Sequence, residues 1–417
     1  MIYQIPPLSR RKLSGIILRM RKITLAAVLP VLLVPALLRA EAWRPSDFEI
    51  RGWNAVMSET NVANSVFSPI GLAISVAMLG EGTGGTHRAN IAESFGLLSD
   101  FGSAFSYVFK SYAAASASNA VSITVAPSLW SRQPNKLDLD YRHSLLRNFE
   151  AETGNLQHLL SINAWTEAKT DGRIPEIVSE IPPHTDILLL NAIAFEGAWE
   201  KGFDPAQTTQ DDFRCEDGTA RKVPMMHGER LVTRVQSADY TAIRLPFAAP
   251  GISMLYLLPP EKTKIAAFRS RWGKDLSIDE LKSLFRVGTG AEVSTLSLKL
   301  AVPRMEIDSR WSLLPVISAF KVPVSGYARI GADFKIDSIL QATYVKVSET
   351  GYSLTPGVLP PEPKEEGNRA GLRNRRSRDD DTPPPAKESF RLDRPFLFMV
   401  WDETTDTIIL SGQFTGA

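Results

Sequence analysis

The chain has 417 residues, of which 44% are hydrophobic and 22% are charged, so it contains enough apolar material for a large packed core. Its formal net charge of +1 at pH 7 provides no global attraction for nucleic acid or for an anionic membrane, and we expect neither as a partner. The single cysteine, Cys215, cannot form an intrachain disulfide, so stability must come from packing.

The N-terminal residues have the pattern of a secretory signal peptide. Arg19, Arg21 and Lys22 precede an apolar run of about sixteen residues (23–38), and Ala-Glu-Ala at 40–42 has the form of a cleavage site. The run falls short of the roughly twenty residues that span a bilayer, so we expect no stable membrane anchor. The sequence predicts cleavage after Ala42 (signal peptide 1–42) and export, to the extracellular space or to a periplasm.

Helical patterns are concentrated in the first part of the chain. Ser68 is a capping residue, Pro69 follows in the first turn, and apolar residues at helical spacing continue to Gly80, which predicts a buried helix. A second helix is predicted between Thr86 and Gly96. The glycines between these helices indicate a turn rather than a phosphate-binding loop, because no strand precedes them and no Gly-Lys-Ser/Thr follows.

Strand patterns dominate the second half. Alternation from Val121 towards Trp130 predicts a half-buried strand, and residues 187–195, apolar except for Asn191, predict a central strand covered on both faces. Further strands are predicted at 296–302, 344–347, 396–400 and 408–414. Helices early and strands late indicate the α+β class.

Residues 352–389 differ from the rest of the chain. They contain seven prolines, a cluster of arginines, an acidic run at 379–381 and few apolar residues. Such a segment cannot bury enough surface to offset its conformational entropy, so we predict an exposed, mobile and largely disordered loop.

Several separated segments resemble the serpin family, the serine protease inhibitors. Their order and spacing match the family across nearly all of the mature chain, which makes the resemblance specific for the fold. The matching segments are NSVFSP at 64–69, INAW at 162–165, TDGRI at 170–174, NAIAFEGAW at 191–199, VPMM at 223–226 and PFLF at 395–398.

The resemblance implies one serpin domain over residues 43–417, with early helices packed on three mostly antiparallel or mixed β-sheets and a reactive-centre loop exposed near the C-terminus. In inhibitory members a serine protease cuts this loop and forms an acyl-enzyme. The loop then inserts into the central sheet and carries the protease to the far pole, where its active site is distorted. The implied protein is an inhibitor and not an enzyme.

The resemblance also identifies a region where the central sheet opens: Ser68, Asn191, Trp199 and Gln341. Asn191 is a polar amide in an apolar strand and needs hydrogen-bond partners, and the resemblance places Ser68 near it. The alternatives are a satisfied core amide at Asn191 and ordinary aromatic packing at Trp199. Gln341 stands where the family often has histidine, and Gly71 where a second serine is common, so we expect an altered network.

The hinge of the loop is predicted to comprise Glu349, Gly351, Tyr352 and Thr355. The acid and the glycine follow the inhibitory pattern, but Tyr352 replaces a small residue and SLTPG at 353–357 replaces a run of alanines. A bulky side chain and prolines oppose entry into a packed central ladder. We therefore expect slow or incomplete insertion, so that the protein is cleaved as a substrate more often than it traps.

The loop is about twenty residues longer than is usual, and the position of its scissile bond is open. Counting forward from Gly351 gives Glu365 and Glu366, whereas counting back from Pro395 gives Pro384. Between them lie cationic side chains suited to a trypsin-like or dibasic-cleaving serine protease. The candidate cleavage residues are Arg373, Arg375, Arg376 and Arg378, of which Arg376 and Arg378 are preferred. The alternative is a solvated basic stretch neutralised by the acids at 379–381.

Other functional classes find little support. No GxSxG, HExxH or CxxC motif is present, and the histidines are scattered without a nucleophile partner. We expect no metal and no cofactor. A polysaccharide site would need a basic helix early in the fold, and we expect none, because residues 97–120 contain only one basic residue, Lys110. Two hypotheses remain: a covalent-trapping inhibitor, expected to be a monomer, and a non-inhibitory serpin that serves as protease bait or as a binding protein.

Overall fold

The structure, a computed structural model, describes residues 46–58, 63–83, 85–94, 101–288, 292–331, 334–351 and 388–416. These residues belong to one compact unit. The proposed signal peptide, the hinge residues Tyr352 and Thr355, and the four candidate cleavage arginines lie outside the described residues.

Most of the helices precede the second half of the chain, as the sequence predicted. Helix α2 begins at Pro69 because the Ser68 hydroxyl accepts a hydrogen bond from the Gly71 amide, and every residue of α2 is buried. The predicted helix from Thr86 to Gly96 begins one residue earlier and is described to Ser94. The helices are α1 (Ser46–Ser58), α2 (Pro69–Glu81), α3 (Gly85–Ser94), α4 (Phe101–Ser116), α5 (Leu139–Phe149), α6 (Leu159–Lys169), α7 (Ile265–Arg271), α8 (Ile278–Val287) and α9 (Leu314–Ala319).

The strands form two hydrogen-bonded sheets. In chain order they are β1 (Ser65–Phe67), β2 (Val121–Ser131), β3 (Glu152–Asn155), β4 (Ile187–Gly197), β5 (Thr209–Arg214), β6 (Ala220–Gln236), β7 (Thr241–Pro246), β8 (Ile252–Leu258), β9 (Val293–Pro303), β10 (Met305–Ser312), β11 (Ile336–Val347), β12 (Ser389–Arg391), β13 (Phe396–Asp402) and β14 (Thr407–Phe414).

The five-stranded sheet has the order β10-β11-β4-β2-β3. Its central strand, β4, is buried at every position except Glu196, which confirms the central strand predicted from its apolar sequence. Strands β4 and β11 run parallel to each other, whereas β10 pairs with β11 and β2 with β4 in antiparallel fashion.

The larger sheet has nine strands, in the order β1-β14-β13-β8-β7-β6-β9-β12, with β5 also paired to β6. Three sheets were expected from the resemblance, but two of them are joined here into this one larger sheet. The reason is the length of β6: residues 220–225 pair with β5, residues 225–235 with β9, and residues 233–236 with β7. The α+β class is confirmed.

The far end of the predicted loop requires a correction. Ser389 was assigned to the loop, but it begins β12, which pairs in parallel with β9 at Lys299. Backbone hydrogen bonding to β9 holds this short strand despite its polar sequence. Within the described ranges, none of the helices combines the length and the apolar character that crossing a bilayer requires.

Candidate functional site

The candidate site is the seam between strands β4 and β11. The parallel register runs from Ile187 opposite Ile336 to Glu196 opposite Lys346, with one irregularity near Ile336. Asn191 and Gln341, both predicted from the sequence to belong to the opening region, lie directly opposite each other across this seam and are fully buried. The seam is therefore closed along its whole length.

Gln341 ties β11 to the start of α2. Its side-chain Oε1 accepts a hydrogen bond from the Ser68 amide at 2.8 Å, and its Nε2 donates to the Ser68 carbonyl at 2.9 Å. The amide side chain thus pairs with the Ser68 backbone as a neighbouring strand would. The Ser68 hydroxyl donates to the carbonyl of Ile409 at 2.8 Å, which extends the connection to β14.

Asn191 makes a separate connection to the same helix. Its Nδ2 donates to the hydroxyl of Ser75 at 2.5 Å, while its buried Oδ1 has no hydrogen-bond partner among the described residues. The expected partner, Ser68, is bonded to Gln341 instead. Sequence reasoning missed Ser75, although it follows Ser68 by two helical turns and therefore lies on the same face of α2.

Gly71 and Gln341, the two positions at which the sequence predicts an altered network, lie against each other. A Cβ built on Gly71 would lie 2.6 Å from Gln341 Nε2 and 2.8 Å from Ile193 Cδ1, distances too short for carbon contacts. The glycine therefore provides the space that the glutamine side chain occupies. The two positions at which the sequence predicts an altered network, Gly71 and Gln341, therefore complement each other in volume.

At the other end of the seam, Glu349 anchors the root of the loop. Its carboxylate accepts hydrogen bonds from Arg304 Nε at 3.1 Å, from Arg304 Nη2, and from the Thr208 hydroxyl at 2.6 Å. Burial, with only 4% of the residue exposed, raises the pKa of the Glu349 carboxyl, but the bonds from Arg304 and Thr208 outweigh burial and hold this pKa below its usual value. The sequence offered no signal for Arg304.

Trp199 fixes the backbone immediately before Glu349. Its indole Nε1 donates to the Ser348 carbonyl at 2.9 Å, and its ring stacks on Phe247 with centroids 4.5 Å apart. Trp199 therefore combines aromatic packing with a hydrogen bond to the loop root, and its role in sheet opening stays a prediction. The Phe203 amide adds a hydrogen bond to the Glu349 carbonyl at 2.8 Å.

Gly351, the last residue described before the loop, lies against the end of β4. Its φ is +69°, and an added Cβ would be 1.9 Å from the Gly197 carbonyl oxygen. Only glycine allows this conformation and this close approach. The root of the loop therefore lies at the point where the β4–β11 seam ends.

These contacts hold the β4–β11 seam closed at two places. Near the middle of the seam, Gln341 bonds Ser68, the residue that caps α2, and Asn191 bonds Ser75 within α2. At its end, Glu349 bonds Arg304. A strand entering between β4 and β11 would have to separate the whole register and displace Gln341 or Asn191 from opposite each other.

Known sequences resemble this chain over most of its length. The family described as Serpin (serine protease inhibitor) matches residues 44–416. Ovalbumin of Coturnix coturnix is 28% identical over 278 residues, 64% of this chain and 64% of the ovalbumin, so the chain spans less than two thirds of that relative. Serpin-Z2B of Triticum aestivum is 24% identical over 397 residues, 88% of this chain and 94% of the relative.

Solved structures show the same fold. Native protease nexin-1 with heparin superposes with a TM-score of 0.72 at 22% identity and covers 89% of this chain and 97% of its own. Uncleaved ovalbumin superposes with a TM-score of 0.69 at 20% identity and covers 89% of this chain and 98% of its own. The family match over residues 44–416 shows that the chain belongs to the serpin family.

Proposed function

We propose that this protein inhibits a serine protease by trapping it, with the cleaved loop inserting into the β4–β11 seam. Serpins are commonly serine protease inhibitors rather than catalytic enzymes, and the family match supports a protease partner in general. The observation that carries the proposal is the parallel pairing of β4 with β11 directly beside the root of the loop.

The direction of the strands favours insertion at this seam. Strand β11 ends at Val347, and the chain reaches the end of β4 at Gly351, so a segment that turned back here would run antiparallel to both neighbours. Insertion would replace one parallel pairing by two antiparallel pairings, which are slightly more stable per residue, and would bury further apolar surface. The free energy released can distort a protease attached to the moving loop.

The second candidate function is that of a non-inhibitory serpin, acting as protease bait or as a binding protein. It is favoured by Tyr352, which directly follows Gly351 and would be among the first residues to enter the seam. Pro356, Pro360 and Pro361 cannot donate hydrogen bonds to a central ladder. Slow insertion lets the acyl-enzyme hydrolyse before trapping is complete.

The target and the location are also proposals. The arginines at 373, 375, 376 and 378 suit a trypsin-like or dibasic-cleaving protease, because a cationic side chain fits an acidic specificity pocket. Export through residues 1–42 would place a monomeric inhibitor outside the cytoplasm. N-terminal sequencing of the secreted protein tests the predicted cleavage after Ala42.

Incubation with trypsin distinguishes the two functions. An inhibitor would form a complex that resists denaturant, and its cleaved form would unfold at a much higher temperature than the native form. Clean cleavage with neither result would support the bait or binding function. Mass spectrometry of the fragments locates the scissile bond: loss of the complex in Arg376→Ala or Arg378→Ala, with Arg369→Ala as the matched control, would assign it.

A further inference from the structure

A buried arginine lies beneath the root of the loop. Arg230 of β6 is only 9% exposed, and its guanidinium carbon lies 3.6 Å from the centroid of the Phe203 ring. Its Nη1 donates a hydrogen bond to the Lys201 carbonyl. Gly228 leaves room for this arrangement, since an added Cβ there would lie 3.2 Å from Phe203 Cδ1.

Arg230 has no carboxylate to balance its charge within the part of the chain that the structure describes, and its Nε has no hydrogen-bond partner there. Burial lowers the pKa of Arg230 to about 10. A buried guanidinium without a carboxylate is costly, so its few contacts must compensate for the lost hydration. Tyr256 also lies near the guanidinium, and the two direct contacts, the stacked ring and the carbonyl, both belong to the segment 201–203.

Residues 201–203 contact both β6, through Arg230, and the root of the loop, through Glu349. The Phe203 amide donates to the Glu349 carbonyl at 2.8 Å, and the Phe203 ring packs edge-on against Trp199 with centroids 6.2 Å apart. Trp199 in turn donates to the Ser348 carbonyl at 2.9 Å. A side chain that holds Lys201 and Phe203 thereby restrains both hydrogen bonds made to the backbone of residues 348 and 349.

We propose that Arg230 is a positioning residue for the reactive-centre loop. By holding residues 201–203 against β6, it keeps the Phe203 amide and the Trp199 indole aimed at the loop root and so opposes the first movement of insertion. In the proposed function, on which this proposal rests, Arg230 regulates how readily the cleaved loop begins to insert. The positioning itself is measurable whether or not the protein traps a protease.

Hydrogen–deuterium exchange of the native protein tests the positioning. Arg230→Met keeps an unbranched stem, although a shorter one, and removes the charge and the hydrogen bond to Lys201. We expect exchange of the Phe203 amide, which donates to the Glu349 carbonyl, to accelerate roughly tenfold, as expected for loss of one charge-assisted hydrogen bond. Arg230→Lys keeps the charge but loses the planar stacking on Phe203, and a smaller acceleration at the same amide is expected.

Arg234→Met is the matched control, because Arg234 lies four residues further along β6 and bonds Glu388 at 2.6 Å instead. It should accelerate exchange near residues 388–391 and leave Phe203 unchanged. The proposal is overturned if Arg230→Met leaves Phe203 unchanged, or if exchange rises equally throughout β6 and β9. Should Arg230→Met not fold, Arg230→Lys is judged by the same two criteria.

A second measurement separates this inference from the proposed function. If the wild-type protein traps trypsin, Arg230→Met should change the ratio of covalent complex to cleaved product. An unchanged ratio would show that Arg230 does not affect loop insertion. If the wild-type protein traps nothing, the inhibitory proposal fails while the exchange result still decides the positioning role.

Discussion

The side chain of Gln341 occupies the space beside Gly71, where a Cβ at position 71 would lie 2.6 Å from the Gln341 Nε2. The glutamine cannot simply rotate away, because both ends of its amide are hydrogen-bonded to the backbone of Ser68. The tie between β11 and α2 therefore depends on the absence of a side chain at position 71.

Gly71→Ala should accordingly destabilise the protein by about 1–3 kcal/mol, the usual effect of overpacking a core. Urea unfolding measures the change in the free energy of unfolding. Gly71→Ala introduced into Gln341→Ala is the matched comparison, and part of the loss should disappear there because the clash with Nε2 is gone. Equal losses in both backgrounds would show that Ile193, and not Gln341, limits the space.

Glu349→Gln should loosen the root of the loop. The substitution keeps the shape of the side chain but removes the charge that Arg304 and Thr208 stabilise, at an expected cost of about 1–3 kcal/mol in the free energy of unfolding. The low end is expected because Arg304 is itself 48% exposed. Glu180→Gln, at an exposed position, is the control, and comparable losses from both variants would argue against a special role for Glu349.

The same carboxyl predicts a pH dependence. The pKa of Glu349 lies below its ordinary value of 4.5 in the folded protein, so its stabilising contribution is complete above pH 4.5. The contribution is lost as the pH falls below that value and passes through the lowered pKa. The difference in unfolding free energy between wild type and Glu349→Gln should therefore shrink on acidification, and a constant difference down to pH 3 would contradict the assignment.

Gly351→Ala should displace the loop root. Its φ of +69° is unfavourable for alanine, and the added Cβ would lie 1.9 Å from the backbone oxygen of Gly197, which no side-chain rotation relieves. Gly218→Ala is a suitable control, since Gly218 has a φ of +84° with nothing within 4 Å. Urea unfolding should show a larger loss for Gly351→Ala than the roughly 1 kcal/mol expected from backbone strain alone.

Tyr352→Ala combined with Pro356→Ala should raise the yield of trapping. Both changes remove obstacles to entry into the β4–β11 seam, bulk in the first case and a missing hydrogen-bond donor in the second. The measured quantity is the ratio of covalent complex to cleaved protein after incubation with trypsin. Lys387→Ala, at the far end of the loop and beyond every candidate scissile position, should leave this ratio unchanged. The same ratio in the wild type, the double variant and the control would show that the hinge is not the cause of slow insertion.

Much of the architecture is encoded in local patterns. Ser68 and Pro69 with the apolar spacing that follows predict α2, and the nearly uninterrupted apolar run around Asn191 predicts the central strand β4. These predictions succeed because capping, helical periodicity and burial on both faces each leave a signature within a short window. The family segments add the connectivity, and the departures at Gln341 and Gly71 are visible in the sequence alone.

The partners of the site residues were decided only by the tertiary structure. Asn191 bonds Ser75 rather than Ser68, Glu349 finds Arg304 at 45 residues' distance, and Arg230 stacks on Phe203 from another strand. None of these pairs follows from a period of two or 3.6 residues, since each depends on the register of strands and the packing of side chains between separate elements. The sequence by itself determines which segments fold into helices and strands, whereas the contacts that hold the seam closed exist only once those segments are packed together.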